Sequence, residues 1–348
     1  MKRLSSQFYT ILLFCISIIS APGQTTIKIG LLIQNSASTE AKNGAELAIL
    51  RENLKGGFEG RKFALVVKSM EGPWGTGSSQ AVDMIFRDEV VAIIGSHDGR
   101  NAHLVEQATT KSHITFLSAW AGDPTLSQAF TPWFFNCVPN SNQQAEILAR
   151  EMNNKKFNKI TLVINDDYDA ASAYKSFMLK SQQLHTVEPV TIVADKSDRD
   201  FSEVTELLIS MKPENLILFT SPDAADRIIS NLEKQHLNIP FFGPLSLLTE
   251  NSPVYNHKAI LENILLLSAG SWFQYEKSDF AVLYRKTYGT WPGAQAAYSY
   301  DAMTAMIMAV KNAGADKEII QKALMGIIFT GVTGKIKFDE KGNRIFTY

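Results

Sequence analysis

Cysteine is almost missing from this chain of 348 residues, which holds only Cys15 and Cys137. Cys15 lies in a stretch read below as removable, so Cys137 is left without a partner and no internal disulfide framework is available. A surplus of either charge is missing too: 34 Lys and Arg face 35 Asp and Glu, a net charge of −1. That balance gives the whole molecule no pull toward nucleic acid or an anionic membrane, and the pair Lys155-Lys156 reads as a solvated helix end. After residue 23 no apolar run is long enough for a membrane helix. Catalytic signatures are absent as well, with no Gly-x-Ser-x-Gly elbow, no His-Glu-x-x-His and no Cys-x-x-Cys.

What remains is the composition of a soluble globular protein, 45% hydrophobic and 20% charged, at a length that suits two domains. The first 23 residues stand apart. Lys2 and Arg3 precede an apolar run, Ile11 to Ile19, broken only by Ser17, and Ala21-Pro22-Gly23 offers small residues before a cut at Gln24. This is the pattern of a secretory signal peptide, residues 1–23. Lipidation at Cys15 is disfavoured, because Phe14 precedes it and further apolar residues follow. Cys137, inside Trp133-Phe134-Phe135-Asn136-Cys137-Val138, reads as a packed core residue.

From Thr25 onward short apolar runs alternate with amphipathic stretches. Strands are expected over Ile27 to Ile33, Phe63 to Met70, Val90 to Ile94 and Ile114 to Leu117, with helices between them, among them Glu40 to Leu54 and Asn101 to Lys111. The continuous Val90 to Ile94 run suits a strand covered on both faces. The rhythm repeats over Lys159 to Ile164, Val190 to Val193, Leu216 to Phe219 and Phe241-Phe242. An α/β fold with doubly wound, mostly parallel sheets follows. The polar connector Asn136 to Gln143 marks the boundary. Two further helices, Phe280 to Tyr288 and Ala294 to Asn312, come after the second half, and a hairpin centred on Lys341-Gly342-Asn343 is expected at the end. Elements that return after a complete second half suggest interwoven lobes.

Two motifs invite chemistry and are read more plainly. Gly72-Pro-Trp-Gly-Thr-Gly77-Ser78 sits between a strand and a helix but lacks the Gly-Lys-Ser/Thr ending of a phosphate loop, so it reads as a turn. His97, Asp98 and His103 straddle a strand end and a helix start with no partner cluster, so no metal or cofactor is expected. Ligands in open α/β sheets bind beyond the carboxyl ends of the strands, where helix N-termini favour an anionic group. Four such places stand out: Gly95 to Arg100, Ser118 to Pro124, Asn165 to Asp169, and Thr220 to Asp223. Capping explains their Ser, Thr and Asp residues. It explains Trp120 and Tyr168 poorly, and these read as cleft walls.

At these residues the chain resembles the type I periplasmic binding proteins, specifically the branched-chain amino-acid (Leu/Ile/Val)-binding receptors of ABC transporters. The resemblance covers essentially the whole chain after the leader. It rests on the order of Lys28-Ile-Gly30-Leu-Leu, Asn43-Gly44-Ala45-Glu46-Leu47-Ala48, Val90 to Gly95, Phe116 to Leu126, Tyr298 to Ala302 and Thr333 to Gly342. It implies two Rossmann-like lobes joined by three crossovers near Asn136 to Pro139, Ser268 to Ser271 and Phe329 to Val332. The lobes would be residues 24–138 with 270–329, and 139–269 with 330–348. It also implies an extracytoplasmic, non-enzymatic receptor that closes over a small-molecule ligand and meets an ABC permease. A sensory protein of the same fold with a membrane partner is the alternative.

The ligand site carried over by this resemblance comprises Asp98, Gly99, Arg100, Ser118, Trp120, Ala121, Gly122, Tyr168, Thr220, Ser221 and Leu245. It departs from the family pattern in three places. Asp98-Gly99-Arg100 stands where Ser or Thr is usual, and Gly122 takes the place of a hydroxyl residue. Leu245 stands where amino-acid binders place the acid that pairs the ligand ammonium. Burying an unpaired ammonium costs several kcal/mol. A small polar or anionic organic ligand other than a branched-chain amino acid is therefore expected. Arg100 would face its acid group or else stand in solvent, and Trp120 would stack on an apolar or planar part.

Overall fold

A computed structural model describes residues 26–129, 131–195 and 199–346. The signal-peptide reading lies outside the described residues. The first sheet contains β1 (Ile27–Ile33), β2 (Phe63–Ser69), β3 (Ala92–Ser96), β4 (Thr115–Ser118) and β5 (Phe134–Asn136), in the order β2-β1-β3-β4-β5 with every pair parallel. Helices α1 (Glu40–Leu54), α2 (Thr76–Phe86) and α3 (Gly99–Lys111) connect its strands. β3 is buried along its whole length, as its apolar run required. It begins two residues later than expected, although the Val91 N–H already bonds the Lys28 carbonyl of β1.

The second sheet repeats the plan. β6 (Thr161–Ile164), β7 (Val190–Val193), β8 (Leu216–Phe219) and β9 (Phe241–Phe242) run parallel in the order β7-β6-β8-β9. Around it lie α4 (Ser141–Asn154), α5 (Tyr168–Gln183), α6 (Ser202–Met211), α7 (Pro222–Lys234) and α8 (Lys258–Leu265). In both sheets the strand order reverses beside the first strand, between β1 and β3 and between β6 and β8. Open α/β sheets bind ligands at such switch points.

The chain then returns to the first sheet. After α9 (Asp279–Tyr288), α10 (Ala294–Asn312) lies along α1 and touches β3, and α11 (Lys317–Met325) follows. Most of α10 is buried, including six alanines, as expected of a helix enclosed by its neighbours. Gly44 of α1 permits the contact: a Cβ there would stand 2.1 Å from the Ala296 carbonyl oxygen.

The C-terminal hairpin differs from expectation. Its ladder pairs β10 (Ile328–Gly331) with β11 (Gly334–Lys337), so the tight turn falls at Val332-Thr333. Gly334 supplies the positive φ of 96° that this turn requires, and the Asp301 carboxylate accepts from the N–H groups of Val332 and Thr333 at 2.9 and 2.7 Å. The expected centre, Lys341-Gly342-Asn343, makes a second turn closed by the single bridge Phe338–Arg344. The strap beyond it touches both halves: Asn343 bridges Asn136 at the end of β5, and Gln143 of α4 donates to the Arg344 carbonyl.

Three passages cross between the sheets, and a buried polar clasp binds them together. Arg344 is 1% exposed, and its guanidinium donates to the carbonyls of Cys137, Lys335 and Thr333 and to the Thr333 hydroxyl. The second passage is tied in by Ser271, whose N–H bonds the Val332 carbonyl at 3.0 Å, and by Ser268, whose hydroxyl meets Trp272 Nε1 and the Tyr298 hydroxyl at 3.0 Å each. Cys137 sits inside this clasp, fully buried, with burial pushing its thiol up to about 12. It is a packing residue, and no thiolate is available.

Candidate functional site

The loops at the carboxyl ends of the switch-point strands face one another across a cavity of about 260 Å³. From the first sheet come Gln34, Asn35 and Ser38 after β1, and His97 and Asp98 after β3. From the second come Asp167 and Asp169 at the start of α5 and Pro222 at the start of α7, while Trp120, Ser246, Thr249, Glu250 and Gln295 complete the wall. A narrow crevice shares Trp120, Asp169 and Ser246 with this cavity and continues toward Gly122, Gln144 and Leu245. Four of the cavity residues are carboxylic acids, and no Lys or Arg stands among the described lining residues.

Hydrogen bonds cross the cleft. The Tyr168 hydroxyl donates to Asp123 Oδ2 at 2.8 Å, and the Gly99 N–H donates to Asp169 Oδ1 at 3.0 Å. Glu250 Oε1 accepts from the N–H and hydroxyl of Thr39 at 2.6 and 2.7 Å. Arg100 adds a cation–π contact, its guanidinium carbon 5.2 Å from the Tyr168 ring centroid. These contacts latch the two sides of the cleft on one another.

Three carboxyls in or near the cleft, Asp169, Glu40 and Asp123, are strongly perturbed. Burial pushes the Asp169 carboxyl up to about 7; Asp98, Asp167 and Asp123 add repulsion, and the Gly99 N–H opposes it. Burial likewise raises Glu40 to about 8, helped by the charge of Glu250 and opposed by a bond from the Ala296 backbone. Glu40 Oε2, Glu250 Oε2 and the Ser246 hydroxyl are buried with no partner among the described residues. Asp123 goes the other way: burial resists, but His103, Thr125 and Tyr168 donate to its carboxylate and hold it well below the usual range. Asp123 in turn raises the His103 imidazole.

The residues expected from sequence separate into groups. Asp98, Trp120, Gly122 and Leu245 line the cavity or its crevice. Gly99 and Tyr168 serve the latch. Arg100 takes the solvent-exposed alternative and does not reach the cavity wall. Ser118 and Ala121 are fully buried, the Ser118 hydroxyl accepting from the Ala121 N–H and the Ala121 carbonyl from Asn136. Thr220 is 1% exposed and donates to the Ser221 carbonyl; Ser221 caps α7 and lines a separate hollow. The His97, Asp98, His103 trio does not converge: the His97 ring is buried against Phe116, with its pKa lowered by burial, while His103 joins Asp123 and Thr125. No group of three or more His, Cys, Asp or Glu suited to a metal occurs among the described residues.

At the helix N-termini facing the cleft, the protein's own side chains take some of the amides: Asp98 takes the Asn101 N–H, Asp169 the Gly99 N–H, Asp167 the Ala170 N–H and Ser221 the Ala224 N–H. The residues missed by sequence reading were Gln34, Asn35, Ser38, Asp167, Asp169, Ser246, Thr249, Glu250 and Gln295. The first three follow β1, and the strand-end rule applied to β1 would have found them. Asp167 and Asp169 stood in a segment examined for Tyr168. Glu250 and Gln295 meet only through the fold, by a bond of 2.9 Å from the Glu250 N–H.

This architecture has known counterparts. The isoleucine complex of the branched-chain amino acid transporter substrate binding protein LivJ from Streptococcus pneumoniae superposes with a TM-score of 0.77 at 21% identity, covering 92% of this chain and 94% of that one. A leucine binding protein LivK from Thermotoga maritima gives 0.74 at 17% identity, covering 92% and 93%. A solute binding protein of an ABC transporter from R. palustris, in complex with benzoate, gives 0.75 at 18% identity, covering 92% and 91%. Among curated sequences, Glutamate receptor 3.7 of Arabidopsis thaliana is 26% identical over 162 residues, 45% of this chain and 17% of the receptor, so the match spans about a sixth of that protein's length. The fold is that of the type I periplasmic binding proteins. No helix among the described residues is long and apolar enough to cross a membrane. Residues 40–348 match the receptor family ligand binding region, and the chain belongs to that family.

Proposed function

We propose that this protein is an extracytoplasmic solute receptor whose lobes close over a small polar organic molecule and present it to an ABC-type permease. The lobes are residues 24–138 with 270–329, and 139–269, with the strap after residue 330 shared between them. The observation that carries this reading is the cavity of about 260 Å³ walled from both sheets at their switch points. A ligand that touches both walls gains its full contacts only when the lobes are together, so it biases the molecule toward closure. The charge of the wall favours a ligand with a cationic group. An anion beside Asp98, Asp167, Asp169 and Glu250 would meet like charge in a partly desolvated space.

Thermal-shift screening of the chain from Gln24 against amines, amino acids, amides and aromatic acids tests the reading. A true ligand at about 100 times its Kd should stabilise the fold by about 2.7 kcal/mol. If no organic solute stabilises it, the receptor reading fails. The local likeness to a plant glutamate receptor favours a sensory role as the second reading. Adjacent permease and ATPase genes support transport, whereas an adjacent histidine-kinase gene supports sensing.

A further inference from the structure

We propose that Gly99 sets how far the cleft can close, because it is the point where Tyr168 and Asp169, beyond the second sheet, meet Asp123, beyond the first. The inference rests on the receptor reading and assigns the limit of its closing motion to one residue.

Nothing in the local backbone demands glycine here. Gly99 opens α3, and its φ lies outside the left-handed region that favours glycine. Alanine is the better helix former. The demand is spatial. A Cβ on residue 99 would stand 2.9 Å from Asp123 Cβ, 3.0 Å from Asp169 Oδ1 and 3.2 Å from Tyr168 Cε1. Carbon atoms pack at about 3.5–4.0 Å, so the niche has the width of a glycine.

The walls of the niche are anchored. Asp123 is buried and caps the turn Pro124–Ser127, its carboxylate held by Thr125 at 2.8 and 2.7 Å and by His103 at 3.2 Å. Tyr168 and Asp169 begin α5. The Tyr168 hydroxyl donates to Asp123 at 2.8 Å, and Asp169 accepts the Gly99 N–H at 3.0 Å. Asp123 backs the niche from the first lobe, whereas Tyr168 and Asp169 arrive only with the second. A side chain at position 99 is thus pressed from behind, and its relief is to push away the start of α5, which separates the lobes. The same close approach brings the Gly99 N–H within reach of Asp169, so the contact that limits closure also stabilises it. Any ligand touching both walls would bind more weakly in proportion to the closed fraction lost.

Disulfide trapping measures that fraction without a ligand. The parent is the chain from Gln24 carrying Thr39→Cys and Glu250→Cys, positions whose native side chains meet across the cleft. Cys137 is fully buried and stays out of the reaction. With diamide as oxidant, Gly99→Ala should crosslink at least about fivefold more slowly than the parent. Gly326→Ala, whose Cβ would meet only ordinary contacts at 3.6 and 4.0 Å, should crosslink at the parent rate. Once Tyr168→Ala and Asp169→Ala are added to the parent, Gly99→Ala should no longer slow the trapping. An unslowed Gly99→Ala would overturn the inference and leave the receptor reading standing. So would slowing that persists without the Tyr168 and Asp169 side chains, or a Gly99→Ala chain that fails to fold, since either puts the pressure on Asp123 within one lobe. A parent that never crosslinks would contradict closure itself, and the receptor reading would fall together with this inference.

Discussion

Arg344→Ala should lower the unfolding free energy by about 3–5 kcal/mol, the cost expected when one member of a buried charged network is removed. The guanidinium is 1% exposed and bonds four acceptors, three of them carbonyls of Cys137, Lys335 and Thr333. Its loss strands those acceptors and leaves the buried Asp301 carboxylate, whose pKa burial already raises, without the nearby positive charge that offsets it. The effect should also be conformational. Arg344 joins the first and third passages between the lobes, so the variant should lose cooperativity between them as well as stability. Urea unfolding followed by tryptophan fluorescence would show both. A loss under about 1 kcal/mol would mean that the clasp is incidental.

The second large effect concerns pH. Asp169 is raised to about 7 and Glu40 to about 8, so in the empty protein both hold protons over a range where unfolded carboxyls do not. The folded state then binds more protons than the unfolded state between about pH 4 and 8, and these two groups make the unliganded protein less stable as pH rises through that window. Asp123, held low, acts oppositely, and its contribution is lost only as pH falls through the acid range. A cationic ligand beside Asp169 must expel the proton it holds. Its affinity should fall by up to about tenfold per pH unit below about 7 and level off above that. Titrations in buffers of different ionisation enthalpy should report proton release on binding. Proton uptake would mark an anionic ligand.

Much of the frame was legible because buried parallel strands need continuous apolar runs. Ile27 to Ile33 and Leu216 to Phe219 are strands over the expected residues. β5 was hidden: at three residues it could not be told from the apolar stretch around it, and it exists through pairing with β4. The terminal hairpin moved because a buried carboxylate 31 residues away captures its turn, which local turn chemistry does not reveal. The site was half legible for the same reason. Asp98 and Trp120 follow strands and could be found locally. Glu250 gains its place from Thr39 and Gln295, contacts that span 211 and 45 residues.

The central claim is that the lobes close on a cation-bearing solute between them. Spin labels at Phe86 of α2 and Leu179 of α5, both exposed, would report the separation of the lobes by pulsed electron resonance. Addition of a stabilising amine should collapse a broad distance distribution to one short, narrow population. A distribution unchanged by a ligand that binds would contradict closure over the cleft.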